Sequence, residues 1–256
     1  MHIMEVSSME LIAKRKNKEI YADNNTVVKL YVEGHSQSDI LNEALNQSRV
    51  EEFSNLNVPR LIEVGKLENR WAIISEKIEG KTISELMKEE PENFDKYLNL
   101  FVDVQLAILA NEVPLLNRIK EKFTRKLENA TNIDENTKYE LLQRLQGMKN
   151  HNKLCHGDYH PSNVIVKEDG TVYVIDWAHV TQGNASADAA RTYLLFSIDN
   201  KEEVAEKYLN LFSEKSGIEK NNIQRWIPIV AATQMTKNIE EEQEFLSKWI
   251  NVVDFE

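Results

Sequence analysis

Residues 156–163 read HGDYHPSN, and residues 175–177 read IDW. In these stretches Asp158 stands five positions before Asn163, and a second aspartate, Asp176, follows a strand-like segment. Carboxylate and amide oxygens are the hard ligands that suit Mg²⁺. The two stretches, taken in this order, therefore indicate phosphate chemistry and narrow the choice of fold.

The spacing of Asp158 and Asn163 is that of the catalytic loop of protein kinases, whose aspartate accepts the proton of the substrate hydroxyl. A later aspartate holds Mg²⁺ in the same enzymes, and Asp176 takes that place after a hairpin predicted over residues 163–176. Asp158 is the predicted catalytic base, and Asn163 and Asp176 are the predicted metal ligands. A chance match in a polar loop is the alternative, but the hairpin and the apolar-Asp-aromatic triplet favour a functional match about tenfold.

The loop resembles that of the aminoglycoside phosphotransferase and choline kinase family, which reads HGD where protein kinases read HRD. Residues 183–191, GNASADAAR, resemble the segment that follows the metal aspartate in that family. The resemblance covers nearly the whole chain. It implies an α+β, protein kinase-like fold with a small antiparallel β-sheet lobe that contains one helix, over residues 1–79, and a larger, mainly helical lobe, over residues 80–256.

The periodicity of apolar residues agrees with this division. Strands are predicted over residues 9–13, 19–22, 26–32, 60–64 and 71–78. One helix is predicted in this part of the chain, over residues 38–53 with Ser38 as its N-cap. Helical spacing then predominates and predicts helices over residues 94–109, 117–130, 134–149, 201–215 and 238–252.

The resemblance also assigns nucleotide-binding residues in the first lobe. Lys29, in the run VVKLY, matches the strand lysine that contacts the α- and β-phosphates, and Glu43 matches its ion-pair partner on the following helix. Residues 71–80, WAIISEKIEG, resemble the last strand and hinge, whose backbone groups bond the adenine edge. Glu76 and Ile78 fit those positions.

The predicted phosphate-covering loop departs from the family pattern. Residues 13–18 read AKRKNK and contain no glycine, although glycine usually lets the backbone approach phosphates closely. Its four basic side chains could bind phosphates by charge, and a solvated basic turn is an equal alternative.

Four further residues of the second lobe call for an interpretation. His156 is expected to support the loop backbone, and His160 to act as a polar partner. Asp188 is expected to cap a helix and brace the catalytic loop. Arg191 is expected to pair with Asp188 or with another carboxylate of the loop.

Composition bears on partners and location. The chain of 256 residues has 42 acidic and 31 basic residues, a net charge of −11, which disfavours nonspecific binding to nucleic acid or anionic lipid and suits a cationic acceptor. It has one cysteine, no signal-peptide pattern and no apolar run long enough to span a membrane. A cytoplasmic protein is expected, and no feature specifies an oligomeric state.

The leading hypothesis is a kinase that uses Mg²⁺ and ATP, with GTP as the other possible donor, to phosphorylate a hydroxyl of a small, aminoglycoside-like molecule. The alternative is a catalytically silent nucleotide-binding regulatory module, a pseudokinase, which the glycine-free loop would suit. A protein kinase is disfavoured because HGD and IDW replace HRD and DFG and because no APE sequence is present.

Overall fold

A computed structural model describes residues 8–251 of the chain. Its strands are β1 (Glu10–Lys14), β2 (Lys18–Ala22), β3 (Thr26–Tyr31), β4 (Leu61–Leu67), β5 (Arg70–Glu76), β6 (Lys81–Thr82), β7 (Lys153–Cys155), β8 (Val164–Val166), β9 (Val172–Val174) and β10 (Thr181–Gly183). Its helices are α1 (Gln37–Phe53), α2 (Ile83–Glu89), α3 (Phe94–Leu109), α4 (Ile119–Glu128), α5 (Glu135–Gly147), α6 (Ala185–Ile198), α7 (Glu202–Ser216), α8 (Lys220–Gln224), α9 (Ile227–Met235) and α10 (Glu240–Ser247).

The described residues fall into two compact units. The first unit contains the described residues up to Lys88 together with Ser162–His179, and the second contains Glu89–Pro161 and the described residues from Val180 onward. The predicted division into residues 1–79 and 80–256 stays a prediction. None of the helices within residues 8–251 combines the length and the apolar character needed to cross a membrane.

An antiparallel sheet in the order β1-β2-β3-β5-β4 forms the body of the first unit. Side chains alternate across a strand, so Val28 and Leu30 of β3 pack with Ala72 and Ile74 on one face. Tyr31 and Ile73 face the other way and pack against α1. This alternation also places Lys29 on the α1 side of the sheet.

Helix α1 begins slightly earlier than predicted. Ser36, and not Ser38, is the N-cap, because its side-chain oxygen accepts a hydrogen bond from the Asp39 amide at 3.3 Å. The helix ends at Phe53, as its apolar spacing predicts.

A second sheet of the first unit, in the order β6-β8-β9, contains the predicted hairpin. Gly80, just before β6, has a φ of +152°, and a Cβ atom there would lie 2.5 Å from the carbonyl oxygen of Val166. The close approach of the two backbones therefore requires glycine at this position.

The second unit is mainly helical around a buried aromatic core. Phe101 of α3 stacks on Tyr159 with ring centroids 4.4 Å apart, and the Tyr159 hydroxyl donates to the Phe101 carbonyl at 2.7 Å. Tyr208 of α7 donates to Gln105 at 2.6 Å in the same core. Five predicted helices are present as α3, α4, α5, α7 and α10, although α10 ends at Ser247 and Val252 lies outside the described residues. The predicted fold class, a β-rich part followed by a mainly helical part, is confirmed.

Candidate active site

Three charged side chains that are far apart in the sequence meet in the first unit. The ammonium group of Lys29 lies 2.7 Å from Oε1 of Glu43 and 2.7 Å from Oδ1 of Asp176, which is 147 positions away in the chain. Strand β3 supplies the lysine, α1 supplies the glutamate, and the aspartate follows β9. The predicted lysine–glutamate pair is therefore formed, and it includes the predicted metal aspartate.

The electrostatics of this group follow from burial and pairing. Burial alone would lower the pKa of Lys29, but the carboxylates of Asp176 and Glu43 outweigh it and hold that pKa above its ordinary value. Burial likewise raises the pKa of Glu43, and the charges of Lys29 and Lys18 reverse that effect and hold it below the ordinary value. Lys29 and Glu43 are thus both held in their charged forms.

The glycine-free turn contributes two contacts that the sequence did not indicate. Lys18, at the start of β2, lies 3.3 Å from Glu43 and shares that carboxylate with Lys29. Lys14 pairs with Glu19 at 3.1 Å, although its side chain is 72% exposed. Two of the four basic side chains are therefore engaged with glutamates.

Asp176 has a backbone conformation that L-residues rarely adopt. Its φ is +64°, in the left-handed region, and its side chain is 36% exposed. The Ile175 amide donates to the carbonyl of Asn163 at 2.9 Å, which ties the segment before Asp176 to the other predicted metal ligand. The neighbouring Trp177 is buried and donates to the Val174 carbonyl at 3.0 Å, which anchors the turn.

The backbone amides of the two predicted hinge residues, Glu76 and Ile78, differ in their hydrogen bonding. The Glu76 amide donates to the Arg60 carbonyl at 2.9 Å, and the Glu76 carboxylate accepts from the Arg60 amide at 3.2 Å. Ile78 lies beyond the end of β5, and its amide makes no hydrogen bond to any residue from 8 to 251. One backbone donor is thus left for a ligand at the position predicted for adenine.

The loop that carries Asp158 lies in the second unit and is held from two sides. The Asp158 amide donates to Nδ1 of the buried His156 at 3.3 Å, as expected for a supporting histidine. The Gly157 amide donates to Oδ1 of Asp188 at 2.7 Å, and Gly157 itself has a φ of +78°. Asp188 therefore braces the loop, as predicted.

Asp188 does not cap a helix, however. The N-cap of α6 is Asn184, whose side chain accepts from the Ser186 amide at 2.9 Å, and Asp188 lies in the first turn that follows. Burial raises the pKa of Asp188 above its ordinary value, although the hydrogen bond from Gly157 opposes that shift. Gln105 donates to the other carboxylate oxygen at 3.1 Å.

Arg191 and His160 lie next to the Asp158 carboxylate. Nη2 of Arg191 lies 3.0 Å from Oδ1 of Asp158, and Nε2 of His160 lies 3.9 Å from Oδ2. Arg191 therefore pairs with the loop aspartate and not with Asp188. Charge-assisted bonds of this kind fix the orientation of a carboxylate.

Three lysines near this carboxylate were missed by sequence reasoning. Lys122 and Lys126 lie on α4 and Lys237 lies just after α9, and the charges of Asp158 and Arg191 act on the pKa of each. The available sequence signal was the spacing of Lys122 and Lys126, because like charges four residues apart on a helix are unfavourable.

No described cluster of three or more His, Cys, Asp or Glu side chains could hold a metal ion. A Mg²⁺ ion needs fewer, because it keeps several waters and is usually bound by one or two carboxylates and by substrate phosphates. The partly exposed Asp176 carboxylate and the side-chain amide of Asn163 both offer oxygen atoms, which are the ligands that this ion requires.

The model of the phosphotransferase enzyme family matches residues 17–220. No curated protein matched the sequence.

Solved structures with the same fold include aminoglycoside phosphotransferases. A thermostable mutant of APH(4)-Ia in ternary complex with AMP-PNP and hygromycin B has a TM-score of 0.71 at 15% identity, over 96% of this chain and 91% of that chain. The streptomycin–ATP complex of APH(2")-IIa has a TM-score of 0.63 at 14% identity, over 97% and 92%. LicA in complex with AMP has a TM-score of 0.63 at 15% identity, over the same shares.

At these identities the structures show a shared fold, and the family model supplies the classification. It matches most of the chain, from β2 to the start of α8. The predicted resemblance and the predicted enzyme class, a small-molecule kinase, are confirmed at this level. The chain belongs to the phosphotransferase enzyme family.

Proposed function

We propose that this protein transfers the γ-phosphate of ATP to a hydroxyl group of a small polar molecule. The observation that carries the proposal is the meeting of Lys29, Glu43 and Asp176 within hydrogen-bonding distance, in the order along the chain that phosphoryl transfer enzymes of this fold use. Family membership gives the reaction class, and these side chains give the residues that would perform it.

The first unit would bind the nucleotide. Lys29, held by Glu43, would contact the α- and β-phosphates, and the backbone of Glu76 and the free amide of Ile78 would bond the adenine edge. ATP is the donor we propose, with GTP as the other nucleotide to be tested.

Asp176 and Asn163 would hold Mg²⁺ with the phosphates. When bound, this ion neutralises charge on the phosphate oxygens. Asp176 also pairs with Lys29. Its carboxylate would therefore position both the ammonium group of Lys29 and the metal ion. Phosphoryl transfer depends chiefly on such positioning and charge neutralisation.

Asp158 would orient the acceptor hydroxyl and take its proton. Its carboxylate is held by Arg191 at 3.0 Å, while the amides of Gly157 and of Asp158 itself are bonded to Asp188 and His156. A base that is fixed from several sides loses little entropy when it meets the substrate.

An aminoglycoside-like acceptor is the sequence-based expectation. Structures of similar fold contain hygromycin B or streptomycin, which supports that class. The side chains that surround Asp158 are cationic, however, and charge opposes the binding of a polycation there.

We propose a cytoplasmic location, where ATP is supplied.

The pseudokinase alternative rests on the glycine-free turn. Against it, the lysine, its glutamate and both aspartates are all present, and Lys18 and Lys14 of the basic turn are paired with glutamates. A catalytically silent module would not require the hydrogen bonds that hold the Asp158 loop in place.

The test is a coupled ADP-release assay with Mg²⁺ and ATP or GTP over a panel of hydroxyl acceptors of positive, zero and negative charge. Asp158→Ala should lower acceptor-dependent turnover by about 10²- to 10⁴-fold while nucleotide binding persists. Asp199→Ala, which removes an exposed aspartate of the same unit, is the matched control and should keep its activity. Full activity of Asp158→Ala would refute the mechanism, and Mg²⁺-dependent nucleotide binding without turnover on any acceptor would favour the pseudokinase.

A further inference from the structure

Four cations gather around one carboxylate in the second unit. They are Lys122 and Lys126 of α4, Arg191 of α6 and Lys237 after α9, and we call them the basic cluster. Lys122 and Lys126 are four residues apart, so they lie on the same face of the helix. Arg191 lies 3.0 Å from Asp158 and connects the cluster to the proposed catalytic base.

The fold holds the members of the cluster in place. Helix α4 packs against α9, and the Asn132 side chain donates to the Met235 carbonyl at 2.9 Å and to Gln243 at 2.8 Å. The Lys237 amide donates to the Gln234 carbonyl at 2.9 Å, which fixes the turn after α9. The charge of Lys237, in that turn, acts on both lysines of α4.

The cluster has a surplus of positive charge. Lys126 and Lys237 form no ion pair with any carboxylate in residues 8–251. Asp158 is the acidic neighbour that acts on all three lysines, and it is already bonded to Arg191. Glu242 adds a weaker opposing charge at Lys237.

The surplus is energetically unfavourable in the ligand-free protein. Burial lowers the pKa of Lys122 to about 7, and the charges of Lys126, Lys237 and Arg191 add to that effect. Burial in the same way lowers the pKa of Lys126 to about 8. Like charges held together at some cost, next to a candidate catalytic group, are typical of a binding site for the opposite charge.

We infer that the acceptor is an anion: a hydroxyl compound that also carries a phosphate or carboxylate group, which the basic cluster binds while its hydroxyl meets Asp158. The inference rests on the proposed function and deepens it. It also reverses the expectation from the net charge of −11, because the local charge beside Asp158 has the opposite sign to that of the whole chain.

An alternative occupant is the nucleotide, whose phosphates are also anionic. A binding experiment separates the two if nucleotide is already present. We would therefore saturate the protein with Mg²⁺ and ADP and then add inorganic phosphate or malonate, which carry the two candidate anionic groups. Hygromycin B serves as the polycationic probe.

Thermal unfolding and titration calorimetry report binding without turnover. Phosphate or malonate should raise the melting temperature of the ADP-saturated protein, and Lys122→Met/Lys126→Met should weaken that binding about tenfold or more. Lys126→Gln, a milder change that keeps a polar side chain, should weaken it to a lesser degree. Lys220→Met removes an exposed lysine of the same unit and should bind as the unchanged protein does.

Three results would overturn the inference. They are no binding of either anion to the ADP-saturated protein, equal binding by the double variant, and tight binding of hygromycin B in place of the anions. If the anions bind as expected but no acceptor supports ADP release, the anion site stands and the proposed phosphotransfer fails. If ADP is released with neutral or cationic acceptors alone, the phosphotransfer stands and the anionic acceptor fails.

Discussion

Lys29 in the β-rich unit and Lys126 in the helical unit are both partly buried, yet they meet opposite surroundings. Lys29 lies 2.7 Å from each of two carboxylates, which hold its pKa above the ordinary value. Lys126 has cations for neighbours, and burial together with those charges lowers its pKa to about 8. A lysine that is paired with carboxylates holds its ammonium group in a fixed position for a ligand. A lysine among other cations is instead stabilised when a ligand brings a negative charge.

The comparison fits the two roles proposed above, phosphate binding by Lys29 and acceptor binding by the basic cluster. In the proposed reaction the nucleotide phosphates would be shared between protein and metal, so Lys29 would need an exact position more than a surplus of charge. An acceptor that binds without a metal would depend on protein cations for its charge. The basic cluster has the surplus of positive charge that such an acceptor would need.

Removing the paired lysine should have the largest effect. Lys29→Met should lower kcat by about 10²- to 10³-fold, because the phosphates lose a positioned cation. It should also lower the melting temperature, because Glu43 would lose its closest cation in a largely buried site. Steady-state kinetics and thermal unfolding measure the two effects.

Lys18→Met is the matched control for that variant. It removes a second lysine from the same glutamate, but one that lies 3.3 Å away and does not contact Asp176. We expect a much smaller loss of kcat. Equal losses in both variants would mean that general charge near Glu43, and not the position of Lys29, supports the reaction.

The clustered lysines should make anion binding depend on pH. Sulfate keeps its charge over this range, and its affinity should fall about tenfold or more from about pH 6 to about pH 9, as Lys122 and Lys126 lose their protons. Calorimetry in buffers of different ionisation enthalpy should show proton uptake on binding near pH 7.5.

Other groups face these two lysines and must be separated from them. Arg191 and Lys237 are the neighbouring cations, and Asp158 and Glu242 are the neighbouring acids. In Lys122→Met/Lys126→Met the fall in affinity should therefore flatten. A pH dependence that persists unchanged in the double variant would place the titrating group elsewhere.

The smallest effect is a gain in stability at the clustered site. Because the pKa of Lys126 is lower in the folded chain than its ordinary value of 10.5, the folded state is disfavoured most below about pH 8, and this cost fades as the pH rises toward 10.5. Lys126→Met should therefore raise the melting temperature by about 2–4 °C at pH 7 and by less at pH 10. Scanning calorimetry at both pH values measures this change, and a lower melting temperature at pH 7 would show that Lys126 is stabilised by its surroundings.

Much of the paired site could be predicted from the sequence. Local patterns predicted the strand of Lys29, the helix of Glu43 and the hairpin before Asp176, and the resemblance to the family assigned these residues their roles and paired Lys29 with Glu43. The motif also led to Asp158 and to the family. Local errors were small, such as the N-cap, where two serines lie two positions apart and the choice depends on which oxygen reaches an amide.

The basic cluster could not be predicted in the same way. Its members lie on α4, on α6 and after α9, and their charges meet because of helix packing that no local pattern specifies. Helix α9 itself, with the sequence IPIVAATQM, was missed because it is buried all round and therefore lacks an amphipathic period. The short strands β7 and β10 were missed because three residues are too few to show alternation and because, unlike β8 and β9, they are not joined by a short turn in the sequence.

The most direct test of the proposed reaction is detection of the phosphorylated acceptor. The protein would be incubated with Mg²⁺, ATP and paired acceptors that differ in having an anionic group or lacking one, and the products would be analysed by mass spectrometry and ³¹P NMR, with Asp158→Ala in parallel. The account predicts a phosphate ester on an anionic acceptor, formed by the unchanged protein and nearly absent with Asp158→Ala. An equal yield from Asp158→Ala, or no ester on any acceptor while Mg²⁺ and ATP still bind, would contradict it.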